Sequence, residues 1–278
     1  MTASKAKVGR LVVCPTPIGN LADVTLRVLR ELAEADVIAC EDTRRTRQLL
    51  DRHDIDAGGR LLSLHEHNEA ARARELRERI GAGAQVALVS DAGTPLVSDP
   101  GHELVQECLR AGLPVEVLPG PSAAVTALVA SGLPAVRWRF VGFQPRKRGE
   151  LTALLAQAQD TLVAYESPRR LGGTLALLAE LDPGRPVAVC RELTKLHEEV
   201  ARGSARELAG RFAGEVRGEV TLVVGATAGD AAEREGALAA LRELVAAGAR
   251  KRPAAAAVAK LTGVGANELY RELAGGDG

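Results

Sequence analysis

The chain alternates short apolar runs with longer segments of helical periodicity. Runs of four or five apolar residues are typical of strands buried on both faces, whereas apolar residues spaced three and four apart indicate helices. In the first part of the chain the runs are 11–14, 36–40, 61–64, 86–89 and 115–118. Helical segments separate them. Strands and helices in this alternation predict a mostly parallel α/β domain.

A second α/β unit and a helical tail are predicted for the remainder. After a helix ending at residue 131, apolar runs predict strands at 138–143, 161–165, 187–191, 198–202 and 219–224. Short connections make antiparallel pairing possible for the last two. Beyond residue 225, Ala, Glu and Arg at helical spacing predict helices at 237–247, 253–261 and 267–273. We therefore predict an N-terminal parallel α/β domain (1–120), a second α/β domain (121–228) and a C-terminal helical segment (229–278).

Three predicted strands end in corners rich in glycine, proline and small residues. These corners are 15–20, 90–95 and 119–122. Small residues let backbone amides approach a ligand closely, and open α/β sheets bind small molecules at the carboxyl ends of their strands. We expect the three corners to converge on one ligand. After the second corner, Asp99 is expected to cap the next helix, with Pro100 at its first position.

Other polar clusters leave alternatives open. The charged segment 41–47 follows a strand and suits either a solvated face or a substrate rim. His65 and His67 have no third ligand at a recognisable spacing, so no metal is expected. The four cysteines are scattered and are interpreted as small buried residues. The glycine-containing turn between the last two helices suits a helical cap or a nucleic-acid reader.

Composition narrows the class of protein. Of 278 residues, 46% are hydrophobic and only 2% aromatic, so the core must consist of Ala, Val and Leu. Net charge is zero, which excludes a global attraction to nucleic acid or anionic membrane and leaves RNA binding to local clusters. No run is apolar enough for a membrane span or signal peptide. We expect a cytoplasmic protein with no membrane contact.

Several motifs together resemble one family. They are Cys14-Pro-Thr-Pro-Ile-Gly-Asn-Leu-Ala-Asp23, Glu41-Asp-Thr-Arg44, Ser90-Asp-Ala-Gly-Thr-Pro95, Asp99-Pro-Gly101, Leu118-Pro-Gly-Pro-Ser122, Gly142-Phe143, Pro145-Arg-Lys147, Tyr165-Glu-Ser167 and Arg191-Glu-Leu-Thr-Lys195. Nearly the whole chain is similar to the bacterial ribosomal RNA small-subunit methyltransferase I family. That family is the 2′-O-methyltransferase branch of the tetrapyrrole methylase (class III) superfamily.

The resemblance implies a fold, a cofactor and a substrate. It implies two α/β domains, commonly in a homodimer, with S-adenosylmethionine in the cleft between them. It also implies methylation of a cytidine 2′-hydroxyl in the decoding region of 16S ribosomal RNA, either as RNA or in the small ribosomal subunit. The cofactor positions of the superfamily carry over to Pro15, Asp91, Ala92, Gly93, Leu96, Ser122, Ala123, Tyr165, Glu166 and Leu193.

The chemistry of this transfer suggests further roles. A protonated ribose hydroxyl is a poor nucleophile, so a base would help. Candidates are Glu41, Asp42, Asp23 and Lys195, and the lysine could act as a base only with a lowered pKa. Asn20, Arg44, Arg146 and Lys147 are predicted to contact RNA. Two alternatives remain, a small-molecule methylase of the tetrapyrrole or corrin type and a non-catalytic nucleotide-binding protein associated with ribosomes.

Overall fold

The first of two five-stranded sheets is entirely parallel. The computed structural model describes residues 9–275, without the side chains of 228–233 and residue 275. The strands are β1 (Arg10–Val13), β2 (Val37–Cys40), β3 (Leu61–Ser63), β4 (Gln85–Leu88) and β5 (Val115–Val117), in the order β3-β2-β4-β1-β5. This confirms the predicted parallel α/β unit.

Four helices cover this sheet, two on each face. They are α1 (Leu26–Glu34), α2 (Thr43–Arg52), α3 (Glu69–Gly81) and α4 (His102–Arg110). Leu32 of α1 and Leu50 of α2 pack in one cluster, and Leu76 of α3 and Leu104 of α4 pack in another. With both faces covered, the carboxyl edge of the sheet is the part left open for a ligand.

The predicted start of α4 was wrong. The helix begins at His102, and Gly101 (φ +124°) occupies the N-cap position in place of Asp99. One carboxylate oxygen of Glu69 on α3 accepts hydrogen bonds from the backbone N–H of Gly101 (2.8 Å) and of Glu103 (2.9 Å). Because a long-range carboxylate caps this helix, Asp99 does not perform that role.

The second sheet is mixed. Its elements are α5 (Ala123–Ser131), β6 (Trp138–Phe143), α6 (Arg148–Ala156), β7 (Thr161–Glu166), α7 (Pro168–Leu181), β8 (Pro186–Arg191), β9 (Glu199–Ser204), α8 (Ala205–Arg211) and β10 (Val220–Val224). The order is β6-β7-β10-β8-β9, with β6 and β7 parallel and the other pairs antiparallel. Helix α5 packs on one face, and α6, α7 and α8 cover the other.

Three C-terminal helices form a small separate cluster. They are α9 (Ala228–Ala246), α10 (Lys251–Thr262) and α11 (Ala266–Gly275), and Leu241, Val258 and Leu269 pack at their centre. The fold class expected from the sequence is confirmed. The boundaries at residues 120 and 228 stay a prediction. No helix within residues 9–275 has both the length and the apolar character needed to cross a bilayer.

Arg185 ties three segments of the second unit together. Its side chain is 1% exposed and donates to the carbonyls of Leu155, Ala158 and Gly225. We expect Arg185→Met to lower the free energy of unfolding by about 2–4 kcal/mol, because it leaves buried carbonyls unsatisfied. Arg206→Met, at an exposed position of α8, should change it by less than about 0.5 kcal/mol. Urea denaturation followed by circular dichroism measures both, and equal losses would contradict the prediction.

Candidate functional site

The three corners contact one another at the carboxyl edge of the first sheet. Thr16 and Gly93 exchange two backbone hydrogen bonds (2.8 and 2.9 Å). The Thr94 hydroxyl donates to the Pro121 carbonyl (3.1 Å). Pro15 packs on Gly120 so closely that a Cβ on that glycine would lie 2.5 Å from the Pro15 Cβ. The corners therefore lie together as predicted, while their binding of one ligand stays a prediction.

An interdomain cavity of about 440 Å³ opens beside these corners, a size typical of small-molecule sites. The first unit and α5 contribute the lining residues Ile18, Ala92, Gly93, Thr94, Val97, Ser98, Asp99, Ser122 and Ala123. The second sheet and its loops contribute Phe143, Tyr165, Glu166, Ser167, Pro168, Cys190, Leu193, Gly218, Glu219, Val220 and Thr221. The cavity thus requires both units.

A second, polar cavity of about 360 Å³ adjoins the first. The two cavities share Ile18, Ala92 and Glu219 as walls. Its other lining residues are Thr16, Pro17, Gly19, Leu21, Arg45, Thr46, Gln48, Leu49, Ser90, Asp91 and Lys195. A ligand in the polar cavity would therefore lie next to a ligand in the interdomain cavity.

Most residues predicted for the cofactor lie together. Ala92, Gly93, Ser122, Ala123, Tyr165, Glu166 and Leu193 line the interdomain cavity. Asp91 lines the polar cavity instead. Pro15 is buried against Gly120, and Leu96 packs in the core of the first unit, so neither lines the two cavities. The roles of all these residues stay predictions.

Two of the lining residues differ in whether their side chains already make hydrogen bonds. Ser122 is the N-cap residue of α5, yet its hydroxyl makes no capping hydrogen bond and can serve a ligand. The Glu166 carboxylate is 2% exposed and accepts from the Ser167 N–H (2.7 Å) and the Thr174 hydroxyl (2.6 Å). Since those bonds occupy its carboxylate, Glu166 acts here as part of the wall.

Three carboxylates face one another near the cavities, Glu41 after β2 and Asp91 and Asp99 in the loop between β4 and α4. Burial, with the neighbouring charge of Asp91, raises the pKa of Glu41. Burial, followed by the charge of Glu41, raises the pKa of Asp99 from 3.8 to about 6, although a hydrogen bond from Ser90 opposes the shift. Asp91 accepts from the Asp42 N–H (2.9 Å) and lies 3.6 Å from Arg45. Asp99 is thus the carboxylate of this group that lines the interdomain cavity.

Asp42 and Lys195, predicted to handle a proton, are both held in ion pairs. Asp42 caps α2 and accepts from the Arg44 side chain, whose hydrogen bonds lower the pKa of Asp42 to about 2. Lys195 donates to Glu192 (2.9 Å) and Glu219 (2.8 Å). Burial lowers the Lys195 pKa, but these hydrogen bonds outweigh it and raise the pKa above its usual value. Neither group is well suited to accept a proton.

The residues predicted to contact RNA are exposed and line neither cavity. Arg44 is 89% exposed beside Asp42. Arg146 and Lys147 are exposed after β6, where Lys147 pairs with Glu150. Asn20 belongs to the seam between the units, because its N–H donates to the Thr194 hydroxyl (3.0 Å). Within residues 9–275, no group of three or more His, Cys, Asp or Glu side chains is arranged to hold a metal.

Sequence reasoning missed several lining residues. The sequence pattern predicts Asp99 as a helix cap and not as a residue of the site, although the Asp99-Pro-Gly101 motif is part of the family resemblance. Phe143 is the last residue of an exposed edge strand, and an aromatic residue at such a position is a feature from which a lining role could be predicted. No feature of the sequence indicates that Glu219 and Thr221 line the cavity, since only the antiparallel pairing of β10 with β7 and β8 brings them there.

Comparisons with known proteins identify the family. The family model for tetrapyrrole (corrin/porphyrin) methylases matches residues 10–209. A Mycobacterium bovis protein named ribosomal RNA small subunit methyltransferase I is 50% identical over 267 residues, covering 94% of this chain and 93% of that protein. A protein of the same name from Micromonospora olivasterospora is 44% identical over 279 residues, covering 98% and 88%. The chain belongs to the ribosomal RNA small subunit methyltransferase I family.

A solved structure adds a ligand to the comparison. Uroporphyrin-III-C-methyltransferase from Thermus thermophilus, complexed with S-adenosylhomocysteine, has a TM-score of 0.55 and 26% identity, covering 78% of this chain and 97% of that chain. Another structure of that enzyme has a TM-score of 0.58 and 27% identity, covering 78% and 94%. S-adenosylmethionine is the methyl donor of such methylases.

The interdomain cavity fits S-adenosylmethionine. Asp99 and the rings of Phe143 and Tyr165 suit a sulfonium or ammonium cation. The free Ser122 hydroxyl and the first-turn N–H groups of α5 suit a carboxylate. Leu193 and Ile18 offer apolar walls to the adenosine. These residues of the methylase would hold the cofactor.

The raised Asp99 pKa makes a prediction about stability. Because the folded state binds the Asp99 proton more tightly than the unfolded state, this carboxylate favours folding at low pH and disfavours it as pH rises through about 6. After allowance for its partial exposure, Asp99→Asn should raise the free energy of unfolding by about 1–2 kcal/mol at pH 8. The gain should largely vanish at pH 4.

Urea denaturation at the two pH values measures this difference. Asp51→Asn, at an exposed position of α2, removes the same charge and serves as the control. An equal gain for Asp99→Asn at both pH values, or none at pH 8, would contradict the prediction.

Proposed function

We propose that this protein transfers a methyl group from S-adenosylmethionine to a cytidine 2′-hydroxyl in the decoding region of 16S ribosomal RNA. The observation that carries the proposal is 44–50% identity, over nearly the full chain, to proteins named for small-subunit ribosomal RNA methylation. The cavity between the two units supports it, because its lining suits the cofactor. When bound, the cofactor supplies a strongly electrophilic methyl group.

The chain's own contribution is mainly alignment. A displacement needs the nucleophile in line with the bond that breaks, and correct positioning accounts for much of the rate enhancement. The polar cavity adjoins the interdomain cavity along Ile18, Ala92 and Glu219, so a ribose held there would face the donor. Arg45 and Gln48 line that polar cavity and offer hydrogen-bond donors. Arg44, Arg146 and Lys147 are assigned to phosphates outside it.

Two other functions have weaker support. A small-molecule methylase of the tetrapyrrole type is supported by the structural likeness to uroporphyrin-III-C-methyltransferase, at a lower identity of 26–27%. A non-catalytic ribosome-associated protein would have no need for a cavity that suits the cofactor in size and lining. The stronger similarity to the ribosomal RNA methyltransferases favours the proposed function over both.

Glu41, Asp42 and Lys195 are assigned to the region that handles the substrate. The ion pairs of Asp42 and Lys195 favour positioning over proton transfer. Glu41 has a raised pKa but lines neither cavity. Its charge therefore acts on the site indirectly, by raising the pKa of Asp99.

We also infer a homodimer in the cytoplasm. Support for the dimer comes from exposed apolar side chains near β5 and α5, namely Val117, Val125, Val129 and Val136. Exposed aliphatic side chains favour association. A ribosomal RNA substrate supports the cytoplasmic location.

The proposed function predicts methyl transfer to one class of acceptor. With labelled S-adenosylmethionine, we expect transfer to 30S subunits or 16S RNA from a strain lacking this protein, and none to uroporphyrinogen or precorrin acceptors. Mass mapping should then place the label on the ribose of a cytidine in the decoding region. Transfer to a tetrapyrrole, or cofactor binding without any transfer, would support the alternatives instead.

Arg45 should contribute to RNA binding through the polar cavity. We expect Arg45→Gln to raise KM for the RNA roughly tenfold and to reduce the slope of log affinity against log salt by about one. Cofactor affinity, measured by calorimetry, should stay unchanged. Arg52→Gln, on the exposed end of the same helix and outside both cavities, is the matched control. Equal effects of the two changes would argue against the polar cavity as the RNA side.

A further inference from the structure

We propose that Asp99 is the catalytic base that takes the proton from the attacking 2′-hydroxyl. This inference rests on the proposed function, since it needs a hydroxyl acceptor and a methyl donor in the same site. It replaces the sequence-based assignment of the proton to Glu41, Asp42 or Lys195.

The position of Asp99 carries the argument. Its side chain lines the interdomain cavity, the one that fits the cofactor. An aspartate before a helix would ordinarily cap it, but the Glu69 carboxylate already accepts from the N–H groups of Gly101 and Glu103. The chain reaches Asp99 through Leu96 and Ser98, both with positive φ (+71° and +70°). Asp99 is thus not needed as a helix cap. It lies in the cavity wall, hydrogen-bonded to Ser90 and close to Asp91, two residues of the adjoining polar cavity in which the ribose is proposed to lie.

The surroundings of Asp99 suit a proton acceptor at neutral pH. Glu41 at the end of β2 and Asp91 after β4 face it with negative charge, and Tyr165 on β7 and Ser90 complete its neighbours. Burial and these charges raise its pKa to about 6. At pH 7 and above the group is mainly ionised, yet it is more basic than an ordinary aspartate. General bases work best with a pKa near the working pH.

The other carboxylates near the cavities are less suitable. The Glu166 carboxylate is occupied by Ser167 and Thr174 within the wall. Asp91 already accepts from the Asp42 N–H and lies beside Arg45. Glu219 accepts from Lys195. By contrast, Asp99 forms no ion pair among residues 9–275.

Methyl transfer and proton transfer occur together in the proposed step. The 2′-oxygen forms a bond to the methyl carbon as the carbon–sulfur bond breaks, and that bond's electron pair stays on sulfur. The hydroxyl proton passes to the Asp99 carboxylate. The products are the 2′-O-methyl ribose, neutral S-adenosylhomocysteine and protonated Asp99, which then loses its proton to water.

The test is the pH dependence of methylation by the full-length enzyme on 30S subunits. For the wild type, kcat/KM for S-adenosylmethionine should rise tenfold per pH unit up to a break near pH 6 and then level off, because this ratio reports groups of the free enzyme. Asp99→Asn should lower kcat by about 10²- to 10⁴-fold and abolish the break. Because the Asp99 charge also faces the cationic donor, calorimetry should show weaker cofactor binding, and kcat is therefore compared at saturating cofactor. Asp51→Asn is the charge-matched control.

Glu41→Gln provides a second readout that a purely structural role would not affect. Removing the neighbouring charge should lower the Asp99 pKa, so the break should move to lower pH but remain. If Glu41→Gln abolished the break and Asp99→Asn only moved it, the proton would belong to Glu41 and the inference would be overturned.

Two other results would overturn the inference. One is an Asp99→Asn enzyme with wild-type kcat and the wild-type break. The other is an Asp99→Asn enzyme that loses cofactor affinity but reaches full kcat at saturating cofactor, which makes Asp99 a binding residue only. A wild-type enzyme that methylates no small-subunit RNA would instead refute the proposed function, so the two failures are distinguishable.

Discussion

The site depends on the direct contacts among three corners of the first sheet. The paired backbone bonds of Thr16 and Gly93 fix two of them, and the Thr94 hydroxyl ties the third through Pro121. Pro15 can approach Gly120 only because that glycine has no side chain. These contacts use backbone groups at strand ends that would otherwise be satisfied by water or ligand. The corners therefore form one connected floor beside the interdomain cavity.

Helix α5 couples this floor to the second unit. Its N-terminus begins at the third corner, while Ala127 and Leu128 pack among strands of the second sheet. Ile18 of the first corner lies in the same apolar cluster, next to Leu193. A movement of the second sheet would thus be transmitted to two corners at once. The cavity between the units is held by packed apolar side chains, and the Asn20–Thr194 hydrogen bond adds direction at its edge.

Local pattern predicted the strands and the corners, because each follows from residues adjacent in the chain, and the shared carboxyl edge of a parallel sheet predicted that the corners lie together. Long-range contacts account for what it missed. Asp99 has the sequence context of a helix cap, and only the fold brings Glu69, 32 positions before Gly101, to take that place. Glu166 lies at a predicted cofactor position, yet Thr174 on the following helix binds its carboxylate. Side-chain partners of this kind depend on tertiary packing, which motif spacing does not record.

The half-buried carboxylates near the cavity affect both the stability of the protein and the chemistry of the site. Burial, and then repulsion from Glu41 and Asp91, raises the pKa of Asp99, so ionised Asp99 disfavours folding near neutral pH. A bound sulfonium cation would relieve that repulsion, so the same charges that destabilise the free protein favour the donor over its neutral product. Loss of the cation during methyl transfer would then raise the pKa of Asp99 at the moment the hydroxyl proton must be held. Donor selectivity and proton acceptance would follow from one arrangement of charge, which neither a neutral cavity nor a carboxylate paired with arginine could provide.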